Sequence, residues 1–345
     1  MRARLRVRRE ASGEVRVSAQ YHLHLESLRS RPEHLQITEA DWARAAKRHP
    51  ELAQRLRVTV GFDNEILEDA LRSADFMINW SPPKERLRER APRLRWIQTT
   101  GAGIDALLPL DWLPADVTLT NNRGAHGAKA EDSCTLALLA LHTRLPETLE
   151  QQHRRVWRPI ITPPIGGRTA VIIGFGDLGA AAGRAAKKLG MRVIAVTRGG
   201  KASPPADECF PVARIDDALP LADYLVVTTP TTPETRGLID ARRLDLLKRG
   251  AGVVNIGRAV LMDYTRLREK LESAELGGAV LDVFEQEPLP ADSQWWTTRN
   301  VIVLPHISCD TPGYIDRLLD RWFENFERFL RGQPLENAVD RHLGY

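Results

Sequence analysis

Hydrophobic residues in the second half of the chain come in short continuous blocks rather than in alternation. The blocks are "TAVIIGF", "MRVIAVT", "YLVVTT", "AGVVNIG", "GAVLDVF" and "NVIVLP". A strand covered on both faces reads this way, so the pattern predicts a parallel sheet between two layers of helix. Helical stretches separate several blocks, the clearest being "DYTRLREKLESAEL" with Leu267, Leu271 and Leu276 near helical spacing. From about Arg168 onward the chain therefore reads as a doubly wound α/β domain the size of a dinucleotide fold.

The first 130 residues carry a shorter alternation of their own. "DFMINW", "LRWIQTT" and "VTLTNN" read as strands, and "TEADWARAAKRHPELAQRL" as one helix opened by a Thr cap. A long helix, "EDSCTLALLALHTRLPETLEQQHRRVW", leads into the second domain, with Pro146 kinking or ending its first half. The C-terminal "PGYIDRLLDRWFENFERFLRG" has a broad apolar face and is expected to return to the first domain.

Composition narrows the classes further. At 345 residues, 43% hydrophobic and 27% charged, the chain is that of an ordinary globular protein with room for two cores. No run approaches the roughly 18 apolar residues of a membrane span. The Arg-rich start has no apolar stretch behind it, and Glu10 and Glu14 interrupt its basic run, which argues against secretory and mitochondrial targeting. Cys134, Cys209 and Cys309 are singletons without disulfide or metal spacing, so no metal is expected and a reducing cytoplasm suits them. Cys309 reads either as a reactive thiol or as a small loop residue. The net charge of +4 is dispersed among acids, which disfavours a nucleic-acid surface. "MRARLRVRRE", followed by "ASGE" and "VRVSA", is the exception: it reads as a β-hairpin with one basic face, either an edge or dimer-contact ribbon or a polyanion-binding arm.

The block "TAVIIGF" runs into Gly174-Phe175-Gly176-Asp177-Leu178-Gly179, and small residues Ala180, Ala181 and Ala182 follow. Glycines at this spacing allow a tight strand-to-helix turn and leave room for a pyrophosphate on exposed helix N–H groups. Three polar residues then follow later strands: Arg258 after "AGVVNIG", Glu287 past "AVLDVF" and His306 after "NVIVLP". Parallel strands place all three along the same sheet edge as the glycine turn. An imidazole can protonate a carbonyl oxygen as hydride arrives, a carboxylate can stabilise the imidazolium, and a guanidinium can fork onto a substrate carboxylate.

With these residues in view, the chain resembles the D-isomer-specific 2-hydroxyacid dehydrogenase family from about Phe76 onward. The matching motifs are "TTGAGID" at 99–105, "GFGDLG" at 174–179, "TTPTTPETRGLI" at 228–239, "VVNIGRAVLMD" at 253–263, "LDVFEQEPLP" at 281–290 and "LPHIS" at 304–308. The resemblance implies two Rossmann-like, doubly wound parallel-sheet domains with a cleft between them. Residues 131–307 form the dinucleotide-binding domain, and 1–130 with 308–345 form a discontinuous, flavodoxin-like substrate domain. It implies Arg258 and Glu287, the second glutamate of "VFEQEP", as catalytic partners of the acid/base His306. By the same resemblance Ala102 and Gly103 offer N–H groups to the substrate carboxylate, and Trp80 and Ser81 line the side-chain pocket. Gly174, Gly176, Asp177, Leu178, Gly179, Thr229, Pro230, Thr235, Ile256, Asp282 and Ser308 contact the cofactor, Asp282 at the nicotinamide amide. A homodimer joined through the long helix and "QQHRRVW" is also implied.

The chain departs from the family pattern in three places. Ala259 replaces the usual glycine after the arginine. Glu131 and Asp132 both stand where one acid is expected. Thr197, followed by Arg198, occupies the end of "MRVIAVT", where an acid normally binds the ribose. Thr can hydrogen-bond a 2′-phosphate and Arg can clamp it, so the expected cofactor is NADP(H), with NAD(H) the alternative. The expectation is an NADPH-dependent reductase of small 2-oxoacids such as glyoxylate or hydroxypyruvate. An NAD-dependent dehydrogenase of larger 2-oxoacids and a phosphoglycerate-type enzyme stay open; the latter is disfavoured because it often carries a further C-terminal domain. A dinucleotide-sensing corepressor-like protein also stays open, because such relatives can retain the same three residues.

Overall fold

The computed structural model describes residues 20–201, 203–341 and 343–344. The basic hairpin expected over residues 1–19 lies outside them. Contacts divide the chain into two compact units, one made of residues up to Ala125 together with those from Pro312 onward, the other of His126–Thr311.

In the first unit the described strands are β1 (Tyr21–Ser27), β2 (Leu56–Phe62), β3 (Phe76–Asn79), β4 (Trp96–Gln98) and β5 (Thr118–Thr120). They pair in parallel in the order β2-β1-β3-β4-β5, the flavodoxin-like order. No continuous apolar block announces β1: His22, His24 and Glu26 alternate with leucines, yet all are buried. They are tolerated because they satisfy one another. His24 Nε2 lies 2.8 Å from Glu26 Oε2, and Thr59 Oγ1 on β2 lies 2.9 Å from His22 Nε2 and 2.8 Å from His24 Nδ1.

"TEADWARAAKRHPELAQRL" forms two helices, not one. Glu39–Arg48 starts at a reciprocal box between Thr38 and Asp41, and Pro50, which lacks an N–H, opens Pro50–Ala53. The helix Tyr314–Leu330 packs on this unit's sheet, Trp322 stacking on Trp96 at 5.1 Å within a cluster that holds Phe323 and Phe326.

In the second unit the described strands are β6 (Thr169–Ile173), β7 (Arg192–Thr197), β8 (Glu208–Pro211), β9 (Tyr224–Val227), β10 (Gly252–Asn255), β11 (Gly278–Leu281) and β12 (Val301–Val303). All pair in parallel, in the order β12-β11-β10-β9-β6-β7-β8. The order reverses between β6 and β9, where loops leave to opposite faces and a crevice opens. Register aligns the strand ends: Ile173 pairs with Val196 and Val227, and Asn255 with Val227 and Leu281. Everything that follows these residues therefore emerges at one edge.

The long helix expected from Glu131 is broken earlier than its proline. Gly127–His142 ends at Thr143, Arg144 takes a left-handed φ of 55°, and Leu145–His153 carries Pro146 in its first turn. The "RRVW" that follows is not helical. Of the two adjacent acids, Glu131 ties this helix to Asp177–Lys188 through Arg184 at 2.7 Å and Lys188 at 2.5 Å. Among the described residues no helix is long and apolar enough to cross a membrane.

Candidate active site

The glycine turn explains itself through what a methyl group would meet. At Gly174, with φ +84°, a Cβ would stand 2.6 Å from Thr229 Cγ2, and at Gly179 it would stand 2.0 Å from Gly174 O. Both glycines are required for the turn to close against β9 and the helix to pack on it. At Gly176 a Cβ would meet nothing within 4 Å. That position caps Asp177–Lys188 without any side-chain bond to the helix's first N–H groups. Asp177 is exposed and Leu178 half-buried in the first turn. Beside the turn, Thr228 Oγ1 donates to Gly174 O at 2.9 Å, and Thr229 Oγ1 is buried with no partner. Open space before a helix N-terminus, bordered by an unpaired hydroxyl, fits the pyrophosphate of a dinucleotide.

At the end of β7 the Thr197 hydroxyl is already engaged. It donates to Lys201 O at 3.0 Å and accepts from Lys201 N at 3.1 Å, folding "TRGGK" into a tight turn. Gly200 within it takes φ +68°. Arg198 and Lys201 are exposed on this turn, and a hydrogen bond from Thr232, with the Arg198 charge a smaller contributor, holds Glu234 below its ordinary value. That loop is braced internally: Thr235 Oγ1 donates to Pro230 O at 2.7 Å and accepts from Thr232 N at 2.7 Å.

Further along the edge, Asn255 ends β10 fully buried and turns the chain. Its Oδ1 accepts from Gly257 N at 3.0 Å, and its Nδ2 donates to Arg258 O and to Tyr264 Oη. Tyr264 Oη in turn donates to Val283 O at 2.8 Å, linking β10's exit to β11's. Ile256 is buried, and Arg258 follows with Nη1 on Gly257 O at 2.8 Å. Asn255 and Tyr264 were not anticipated from the sequence. The available signal was an Asn two residues before a glycine at the end of an apolar run.

His306 and Glu287 meet directly: Nδ1 lies 2.7 Å from Oε2. The other carboxylate oxygen accepts from Phe284 N at 2.9 Å. The Glu287 hydrogen bond pushes the His306 pKa up, against burial and the Arg258 charge. Burial pushes Glu287 up, but bonds from His306 and Phe284, with the charges of His306 and Arg258, bring it net below its ordinary value. An ionised acceptor makes Nδ1 the donor, so Nε2 is the nitrogen that can exchange a proton with a ligand.

Asp282 anchors the loop that carries the histidine. Its oxygens accept from Ile307 N at 2.8 Å, from Ser308 N at 3.1 and 3.2 Å, and from the Ser308 hydroxyl. Asp282 and Ser308 are both buried, and burial raises the Asp282 pKa. These bonds hold His306 in the left-handed region at φ +56°, a conformation costing on the order of 1 kcal/mol for a non-glycine residue. Burial pushes the neighbouring Cys309 thiol up to about 11, which makes it a thiol rather than a thiolate at neutral pH.

The remaining expected residues belong to the first unit. Trp80 and Ser81 follow β3; Ser81 N donates to Asn79 Oδ1 at 2.8 Å. The Trp80 ring lies so close to Gly101 that a Cβ there would come within 2.4 Å of it. Carbonyls of the 99–103 loop are tied back: Gly101 O accepts from Thr99 Oγ1 at 2.8 Å and Asn122 N at 3.0 Å, and Ala102 O from Asn121 Nδ2 at 3.0 Å. In a trans peptide the N–H opposes the preceding C=O, so the N–H groups of Ala102 and Gly103 face away from these anchors.

A Rossmann-ordered sheet with an open cradle at its switch point, and a paired imidazole and carboxylate on the same edge, defines a dinucleotide-dependent oxidoreductase. The chain belongs to the D-isomer-specific 2-hydroxyacid dehydrogenase family, whose NAD-binding domain matches residues 135–308. Glyoxylate/hydroxypyruvate reductase A of Salmonella typhi is 30% identical over 279 residues, which is 79% of this chain and 88% of that protein. A family member from Xanthobacter autotrophicus Py2, solved with NADPH and MES, superposes with TM-score 0.82 at 29% identity, covering 95% of this chain and 100% of that one. The NADPH-dependent glyoxylate/hydroxypyruvate reductase of Sinorhizobium meliloti, solved with NADP and sulfate, gives TM-score 0.80 at 28% identity over 94% and 99%. The chain is thus an NAD(P)-binding 2-hydroxyacid dehydrogenase or reductase.

Proposed function

We propose that this protein reduces small 2-oxoacids of the glyoxylate and hydroxypyruvate class to D-2-hydroxyacids with NADPH. The observation that carries the reading is the His306–Glu287 pair at 2.7 Å on the edge that also bears the glycine cradle. A bound nicotinamide dinucleotide supplies hydride to the carbonyl carbon. His306 delivers the proton to the carbonyl oxygen from Nε2, and Glu287 stabilises the imidazolium beforehand. Arg258 holds the substrate carboxylate in a two-bond fork, and on the first unit the N–H groups of Ala102 and Gly103 are donors of the kind a carboxylate takes. Trp80 restricts the side-chain pocket to small or planar groups. The names of the Salmonella and Sinorhizobium relatives support this substrate class.

Cofactor preference rests on the turn after β7, which offers no acid to repel a 2′-phosphate. Because the Thr197 hydroxyl is taken by the turn, Arg198 and Lys201 are the groups that clamp the phosphate. The test is initial rates with both substrates, each with NADPH and NADH, for wild type and Arg198→Ala. A lead of tenfold or more for NADPH, reduced by the substitution, is expected. Equal rates with NADH in both proteins overturn the cofactor assignment, and no turnover of either substrate overturns the substrate class.

We also propose a homodimer through the second unit. Among its exposed large apolar residues, Leu136, Leu139, Leu145, Leu149, Val156, Trp157 and Ile161 fall within one stretch of the chain, and Trp157 and Ile161 are 96% and 92% exposed. So many exposed large apolar side chains within one short stretch of chain favour a partner there.

A further inference from the structure

The edge of the second unit's sheet opposite the glycine cradle holds a cavity of about 220 Å³. It is built where the chain enters three strands: Arg168 precedes β6, Asp223 precedes β9, and Lys248 and Arg249 precede β10, with His142 and Arg144 completing the wall. Four permanent cations thus face one small space. Asp223 is committed to Lys248 at 3.0 Å and to Thr169 N at 2.8 Å, and Glu147 to Arg144 at 2.5 Å and Arg158 at 3.0 Å. Among the described residues Arg168 and Arg249 have no ion pair.

Two observations set this apart from a solvated basic surface. Arg144, a residue of the cavity wall, has its Nε buried without a hydrogen-bond partner, a desolvation that negative charge in the adjoining cavity offsets. Arg144 is also held at φ +55°, in the junction between two helices, where a non-glycine residue carries strain. His142 and Tyr224 also line it, with His142 Nδ1 2.8 Å from Tyr224 Oη. Excess like charge around a cavity raises the free energy of the empty state, and an anion with two or more charges relieves it.

We propose that this cavity binds a compact polyanion, a phosphorylated or polycarboxylate small molecule, at a site distinct from the cofactor cradle. The forked guanidinium donors suit either chemistry, and the small volume suits a compact anion. The two sites occupy opposite ends of β6, β9 and β10, separated by strands of four or five residues, or roughly 15 Å at about 3.3 Å per residue. The proposal does not depend on which 2-oxoacid the enzyme reduces.

The test is calorimetric titration with pyrophosphate and, separately, citrate at constant ionic strength. The protein is saturated with NADP(H) so that its own phosphates occupy the cradle. Saturable binding below about 1 mM, weakened at least tenfold in Arg168→Gln/Arg249→Gln and unchanged in Arg198→Ala, supports the site. Pyrophosphate alone binding points to a phosphorylated ligand, and citrate alone to a polycarboxylate. Absence of saturable binding by either anion, or binding that survives the double substitution in a protein with wild-type melting, overturns it.

Discussion

The two outer glycines of the cradle and the middle one should fail in opposite ways when a methyl group is added. Gly179→Ala brings a Cβ to 2.0 Å from Gly174 O and 3.0 Å from Thr228 Oγ1, so backbone must move by more than an ångström. Overpacking of this kind costs roughly 1–3 kcal/mol, or about 2–12 °C in melting temperature for a unit of this size. Gly176→Ala meets nothing within 4 Å and has φ −77°, which alanine adopts readily. Its effect on the free protein should stay within about 1 kcal/mol, and loss of unfolded-state freedom offsets part of even that. The added methyl does enter the space assigned to the pyrophosphate, and the same overpacking range there weakens dinucleotide binding by about fivefold to 150-fold. Thermal melts of both cofactor-free variants, with calorimetric NADPH affinities, separate the cases. If Gly176→Ala binds cofactor like wild type, the open space is not the pyrophosphate's and the cradle is misassigned. If Gly179→Ala melts like wild type, the close approach to Gly174 is not required.

Reduction needs a protonated His306, whose pKa Glu287 raises, so kcat/KM should be level at low pH and fall as pH rises through that raised value. Glu287→Gln removes the charge and should move the falling limb to lower pH, which pH–rate profiles of the two proteins will reveal; coincident limbs refute the pairing as the cause. For assembly, Trp157→Glu/Ile161→Glu should shift the sedimentation coefficient from dimer to monomer, and an unchanged dimer refutes the assigned surface.

Much of the second unit was legible because its strands are buried on both faces. A parallel sheet under two helical layers admits little besides Val, Ile, Leu and Ala, so six of its strands appear as apolar blocks that local physics alone picks out. The glycine spacing was equally readable, since steric exclusion of a Cβ is a property of one position. Elements stabilised by partners far away in sequence left weaker traces. β1 hides His22, His24 and Glu26 in its core, and nothing local says that Thr59 waits on β2 to satisfy the histidines. The break at Arg144 fell before the proline that seemed to demand it, because the end of a helix is set by tertiary packing as well as by its breaker.

At the site the same division holds. Residue type and strand order predicted that His306, Glu287, Arg258 and the glycine turn share an edge, because parallel register aligns strand ends whatever the side chains do. The tertiary structure alone decided how individual groups are used. Thr197 is enclosed in its own turn, on which Arg198 and Lys201 are the exposed cations. Asp282 grips the backbone of Ile307 and Ser308, and Asn255 ties two strand exits together through Tyr264. Each of these roles depends on which donor lies within about 3 Å, a distance set by side chains that the fold brings together and that no local pattern encodes. The cationic cavity at the far edge is the extreme case, since its residues are scattered from Leu141 to Gly277 and meet only because parallel strands begin side by side.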